Sequence, residues 1–241
     1  MVQANSGRKR RSRPAAGLPA ITPAMIVDAA CELTAECGVE DWTLRQLSAV
    51  LNAYPAVIYH HVGDREAVVA EVIERVVAQV RVPGDDLTWR AWFAELLSDM
   101  RRVLRRYPGV ARRLAVHGPT VPSALAIIDK GVRRLRAGGF GDRSVFVYNY
   151  LLTQVSLFIA HQDDRDAAVE VRMRGSEVFS SYRERADLPG LAEMGRLVYE
   201  IGQQPDGPSR YFDEFFEFTL DRALDGVASL LHQPSASNDL G

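Results

Sequence analysis

The chain has 241 residues, a formal net charge of −2 and 47% hydrophobic residues, proportions that fit a folded protein with a sizeable core. No apolar run approaches the ~20 residues needed to cross a bilayer, and the basic N-terminus lacks the apolar stretch of a secretory signal. Cys31 and Cys37 are expected on one helix, facing different ways, which excludes a disulfide framework and fits a reduced, cytoplasmic protein.

The charge is unevenly spread. Arg8, Lys9, Arg10, Arg11 and Arg13 stand among the first residues with no acid between them, and taking those five positive charges from −2 leaves −7 for residues 14–241. Residues 1–20 are rich in Arg, Ala, Pro and Gly and read as a disordered basic arm, placed to touch a polyanion or to be simply solvated. Thr22-Pro23 then gives a cap and a first-turn proline. The helix they start carries Ile26, Ala30, Leu33 and Cys37 inward and stops at Gly38.

Thr43 is positioned to cap a short second helix with Leu44, Leu47 and Leu51 on one face. Asn52 suits the left-handed conformation of a tight turn. Pro55 suits the first position of a third helix, which turns Val57, Ile58 and Val62 inward and Tyr59, His60 and His61 outward until Gly63. Two short helices about a tight turn, the second with a polar and aromatic outer face, describe a helix-turn-helix, although any helical protein can contain such a pair. Asp64 caps a longer fourth helix with Val68, Val69, Val72, Ile73, Val76 and Val77 on its apolar side. Pro83 to Asp86 interrupts the pattern and marks a domain boundary.

The stretches Thr43-Leu44-Arg45-Gln46-Leu47-Ser48, Val57-Ile58-Tyr59-His60-His61-Val62 and Asp64-Arg65-Glu66-Ala67-Val68-Val69 resemble the DNA-binding domain of the Tet repressor (TetR) family of bacterial transcription regulators. Asn52 replaces the glycine and Ser48 the alanine usual in that family; both changes are sterically mild. The resemblance implies a DNA-binding domain over residues 21–82.

Beyond it, Trp89, Trp92, Phe93, Leu96, Leu97, Met100 and Leu104 recur at helical spacing up to Tyr107-Pro108. Further helices are expected over Val110 to His117, over Pro122 to Ala137, and from an Asp142 cap through Ile159. The last of these is apolar nearly all round. A charged helix is expected over 163–186, residues 187–210 give no clear pattern, and Tyr211 to Leu231 forms a strongly apolar helix. No strand pattern competes, so the fold class is all-α. Trp89 to Pro108, Ala137-Gly138-Gly139-Phe140 and Phe215 to Leu231 also resemble the ligand-binding and dimerisation domain of the Tet repressor branch. That domain is assigned to residues 87–232, with a disordered tail over 233–241.

The resemblance implies a partner, double-stranded DNA carrying a palindromic operator. It implies that Arg45 reaches a base edge, where its fork matches guanine, and that Tyr54, Tyr59, His61 and Arg65 touch the backbone. Thr43 stands at a helix N-terminus that attracts phosphate. Pro55, Ala56 and Val57 lie at the tip of the recognition helix, where small apolar groups meet thymine methyls. Tyr59 has an alternative reading as a core residue and His60 as an idle exposed one. Adjacent His60 and His61 point about 100° apart on a helix, a poor shared ligand pair, so no metal is expected there.

The resemblance also implies a small-molecule effector among the helices of 89–160. Trp92, Phe93, Met100, Tyr148 and Phe158 are candidate apolar walls. His117, Thr120, Asn149 and Thr153, together with Gln154 and His161, are candidate orienting groups. Each aromatic has an equally simple reading as core, and His117 as a surface or capping residue. No cofactor is expected. Leu96 and Met100 stand where the Tet repressor has polar groups, which speaks against a tetracycline–magnesium site. The helices over 144–160 and 211–231 have wider apolar faces than one core needs and are expected to form a two-fold four-helix interface in a homodimer. The whole reads as a ligand-responsive repressor. Two other classes compete with it, a helical enzyme or carrier without specific DNA binding and a purely structural dimer. No nucleophile–base pair, metal set or phosphate loop supports the enzyme.

Overall fold

A computed structural model describes residues 20–232. The expected basic arm, with Arg8 to Arg13, and the expected tail over 233–241 lie outside the described residues. Among the described residues every regular element is helical, as the all-α expectation required.

The first four helices are α1 (Pro23–Cys37), α2 (Leu44–Val50), α3 (Pro55–His61) and α4 (Arg65–Val77). Their starts are local chemistry. The Thr22 hydroxyl accepts from the Met25 N–H at 3.3 Å, and the Asp64 carboxylate accepts from the Ala67 N–H at 2.9 Å. Thr43 and Gln46 form a reciprocal capping box at the head of α2. Asn52 adopts φ 48°, the left-handed turn expected between α2 and α3. Ile26, Ala30, Leu47, Leu51, Ile58, Val68, Val72 and Val76 close a small core around the buried Trp42. Cys37 is exposed, contrary to expectation; the buried polar residue of α1 is Thr34, which accepts from the Trp42 indole at 2.9 Å.

The remaining helices are α5 (Trp89–Leu104), α6 (Val110–His117), α7 (Pro122–Leu135), α8 (Ser144–Ala167), α9 (Val169–Ser181), α10 (Pro189–Gln203) and α11 (Gly207–Ala228). A tight π-type turn over Arg136–Phe140 and a 3-10 turn over Gly141–Arg143 join α7 to α8. Asp142 sits inside that turn and does not cap α8; the Ser144 hydroxyl ties the corner by donating to the Gly141 carbonyl at 2.7 Å. The charged helix expected over 163–186 is divided. Its first part continues α8, because Gln162 and Asp163 are buried against α5 and α6, and the chain bends at Ala168 before α9. The unassigned stretch 187–210 contains α10, which packs on α9 as a hairpin.

α5 and α8 form the centre of the larger core, with α6, α7 and α11 around them. The smaller unit docks against this body through α4 and through the loop at Val39, whose N–H donates to the Pro108 carbonyl at 2.9 Å.

Candidate functional site

The helix-turn-helix leaves its outer face clear. Thr43, Arg45, Tyr54, Pro55, Ala56, Tyr59, His60 and His61 are all exposed. Tyr59 is 57% exposed, so it is not a core tyrosine. Arg45 has no hydrogen bond or ion pair among the described residues, and its guanidinium is free to meet an external acceptor. The His60 and His61 rings meet edge to face, with centroids 5.4 Å apart. Val57 is half-buried and packs on the core, which leaves Pro55 and Ala56 as the apolar groups at the helix tip.

Arg65, expected at the DNA backbone, is bonded within this unit. Its Nε donates to the Trp42 carbonyl at 3.1 Å and its Nη2 to the Val39 carbonyl at 2.6 Å. The guanidinium lies 4.8 Å from the centre of the Trp42 ring and pairs with Glu66 at 3.1 Å. A cation tied to two carbonyls, an indole face and a carboxylate braces this unit from within.

Beside that strut, α6 grips the same unit. The Arg113 fork pairs with Glu40 in the loop after α1, with Nη2 donating at 3.0 Å, and with Glu66 in the first turn of α4, with Nη2 donating at 3.2 Å. Hydrogen bonds from Arg113 hold both carboxyls below the usual carboxylate range. Further along, Glu74 of α4 accepts from the N–H and the hydroxyl of Ser123, at 3.0 and 2.6 Å, and so caps α7 from another helix.

Between α4, α5, α6, α7 and α8 lies a cavity of about 230 Å³. Val77 at the end of α4 and Val80 just beyond it form one wall. Leu96, Met100 and Leu104 of α5 form the next. Leu114, Ala115, Gly118 and Pro119 supply the α6 side, and Ala124 and Ile127 the α7 side. Tyr148, Asn149, Leu152, Thr153 and Ser156 come from α8. Gly131 lets the Tyr148 ring approach α7; a Cβ there would stand 2.7 Å from it. Gly118 ends α6 at φ 80°, a backbone that side-chain-bearing residues rarely adopt.

Of the expected wall and orienting residues, Met100, Tyr148, Asn149 and Thr153 meet at this cavity. Trp92 and Phe93 do not. Both are fully buried in the body, where the Trp92 indole donates to the Pro83 carbonyl at 3.1 Å and Phe93 packs edge-on against Trp92 and Tyr148. Phe158 faces the other way, against Phe212, Phe215 and Phe216 of α11. His117 and Thr120 are exposed and flank the Gly118-Pro119 pair without lining the cavity themselves. The sequence reading missed Val77 and Val80 as cavity walls, because Val77 shares its spacing with the core stripe of α4 and Val80 lies just beyond that helix. It also missed Ser156, although the step from Tyr148 through Leu152 keeps one helix face and could have found it.

Comparison with known proteins supplies the remaining context. Residues 82–231 match the family model described as the tetracyclin repressor-like C-terminal domain. The chain is 30% identical over 184 residues to an HTH-type transcriptional regulator of Saccharopolyspora erythraea, covering 72% of this chain and 75% of that protein. It is 28% identical over 217 residues to the class A tetracycline repressor protein from transposon 1721 of Escherichia coli, covering 86% and 91%. The crystal structure of the Streptomyces coelicolor protein ActR in complex with actinorhodin superposes with a TM-score of 0.71 at 22% identity, covering 91% of this chain and 99% of that one.

Proposed function

The chain belongs to the Tet repressor family of transcription regulators, and from that premise we propose that it is a homodimeric repressor released from a palindromic operator by a small molecule held in the α4–α8 cavity. One observation carries the reading. A single helix, α4, touches both sites: its first residue, Arg65, is tied to Val39 and Trp42 of the helix-turn-helix unit, and its last residue, Val77, lines the cavity.

At the DNA end, α3 enters the major groove with Pro55, Ala56, Tyr59 and His60 on its outer face. Arg45 reaches a base edge from α2, and Thr43, Tyr54 and His61 position the unit on the backbone. Two such units about one helical turn apart read a two-fold site. Exposed apolar residues on α8 and α11 supply the dimer face.

At the ligand end, a molecule that fills the cavity bears on Val77 and Val80 on one side and on Leu114 and Ala115 of α6 on the other. α6 holds the reading unit through Arg113, and Gly118 at its end is the point where its direction can change. A shift of α4 and α6 together alters the spacing of the two reading units. The ligand changes operator affinity only by its differential binding to the two arrangements, typically ~1–3 kcal/mol.

Selection of bound duplexes from a random DNA pool at two salt concentrations tests the reading. A two-fold symmetric site that survives the higher salt is expected. Uniform binding that vanishes with salt would leave a helical ligand-binding protein without an operator.

A further inference from the structure

The side chains around the cavity specify the chemistry of what enters it. We propose that the cavity takes a neutral, elongated ring compound bearing hydroxyl or carbonyl oxygens along one edge, and takes it without a metal ion. This rests on the cavity being the effector site.

No Asp, Glu, Lys, Arg or His is among the residues that line it. The four sides formed from α4, α5, α6 and α7 carry only apolar side chains, the Met100 thioether among them. A ligand carboxylate or ammonium would leave water for walls that offer no counter-charge, and that transfer costs several kcal/mol. A metal carried in by the ligand would find neither imidazole, thiolate nor carboxylate to complete its coordination.

The polar groups are all on α8, and all are uncharged. Tyr148 is 4% exposed and Ser156 is 5% exposed, yet neither hydroxyl has a hydrogen-bond partner among the described residues. Burial pushes the Tyr148 phenol well above its ordinary range, so it stays protonated and able to donate. Asn149 and Thr153 are more exposed and lie at the opening, also unpartnered. At ~1.5 Å of rise per residue, Asn149 and Thr153 stand ~6 Å apart along the wall, and Tyr148 and Ser156 ~12 Å apart. The long axis of two or three fused rings, roughly 7–10 Å, runs along that wall, and oxygens at its edge and ends can pair with side-chain hydroxyl or amide groups that are otherwise unpartnered.

The test is calorimetry on the full chain at pH 7 with two probes: a neutral dihydroxyanthraquinone and its analogue carrying one carboxylate. The neutral probe is expected to bind in the presence or absence of a chelator, and the carboxylate roughly 100-fold more weakly. Tyr148→Phe and Ser156→Ala should each weaken the neutral probe by about three- to tenfold, and unchanged binding in both variants overturns the proposal. Equal binding of the two probes, a requirement for added metal, or no binding of the neutral probe overturns the proposal. Operator release measured in parallel separates the two ideas. A neutral probe that binds without releasing an operator counts against the regulatory reading and leaves the ligand class standing. Release by the carboxylate alone does the reverse.

Discussion

Arg45 and Arg65 stand on neighbouring helices and have opposite surroundings, which makes them a direct test of the reading face. Arg45 is unpaired and exposed, whereas Arg65 is tied to the Val39 and Trp42 carbonyls. Arg45→Ala should therefore leave the fold unchanged and relax base preference at one position of each half-site, by about 1–3 kcal/mol of discrimination. Arg65→Ala should lower the stability of the reading unit by about 1–3 kcal/mol, because two carbonyls lose a charged donor. Thermal unfolding and the salt slope of operator binding, measured on both variants, decide the matter. A lower salt slope with an unchanged melting temperature for Arg65→Ala would return that residue to the phosphate backbone.

Arg113 makes a second prediction at this scale. Glu40 and Glu66 are ionised at neutral pH and held below their ordinary range by the Arg113 fork. For carboxyls lowered in the folded state, the contribution is complete above the unfolded value of about 4.3 and disappears as pH falls through the lowered folded values. Docking of the reading unit on α6 is thus expected to be constant from pH 8 to about pH 5 and to loosen only in stronger acid. Arg113→Ala should loosen it at every pH. Its operator binding should persist and its response to effector should shrink, because α6 then moves without carrying Glu40 and Glu66. An unaltered response in a gel-shift titration with effector would remove α6 from the coupling.

The elements show why some of this was legible in the sequence. Thr22, Thr43 and Asp64 cap helices through bonds only three residues long, so sequence alone located those starts. Asn52 and Pro55 fix the turn and the head of α3 by their own backbone preferences. The start of α7 at Pro122 was legible too, but not its cap, Glu74, which arrives from α4 and leaves no local trace. The division of 163–186 was hidden for a similar reason. Gln162 and Asp163 look like surface residues, yet Asp163 is buried, accepting from the Gly109 N–H at 3.1 Å and pairing with Arg105. Cavity walls and core share one hydrophobic pattern, so Trp92 and Val77 could not be told apart without the fold. The Glu74 cap gives a prediction of its own. Glu74→Ala should cost about 0.5–2 kcal/mol, the usual range for a lost cap, and fray the start of α7 where Ala124 lines the cavity. Hydrogen exchange over residues 122–127 measures that fraying; unchanged protection would mean that Ser123 holds the turn unaided.

At the scale of the whole molecule, the question is which face meets a second copy. On α8, Phe146 is 79% exposed, and Tyr150 and Leu157 lie on the same stripe, turned away from Tyr148 and bordering the cavity opening at Asn149 and Thr153. On α11, Phe218 is 61% exposed and Phe215 stands beside it. Large apolar side chains on two adjoining helices match an isologous interface, in which each stripe meets its own copy. The α9–α10 hairpin also exposes apolar residues, Val171, Met173 and Met194 among them, and offers the competing face. Phe146→Arg places like charges near the two-fold axis of an α8–α11 interface and should yield a monomer in sedimentation. Operator affinity should then fall by ~100-fold or more, since the second reading unit is no longer held at high effective concentration. Met173→Arg should leave the dimer intact. If the outcomes are exchanged, the hairpin is the interface, and the spacing of the two reading units is set through α9 rather than through the helix that lines the cavity.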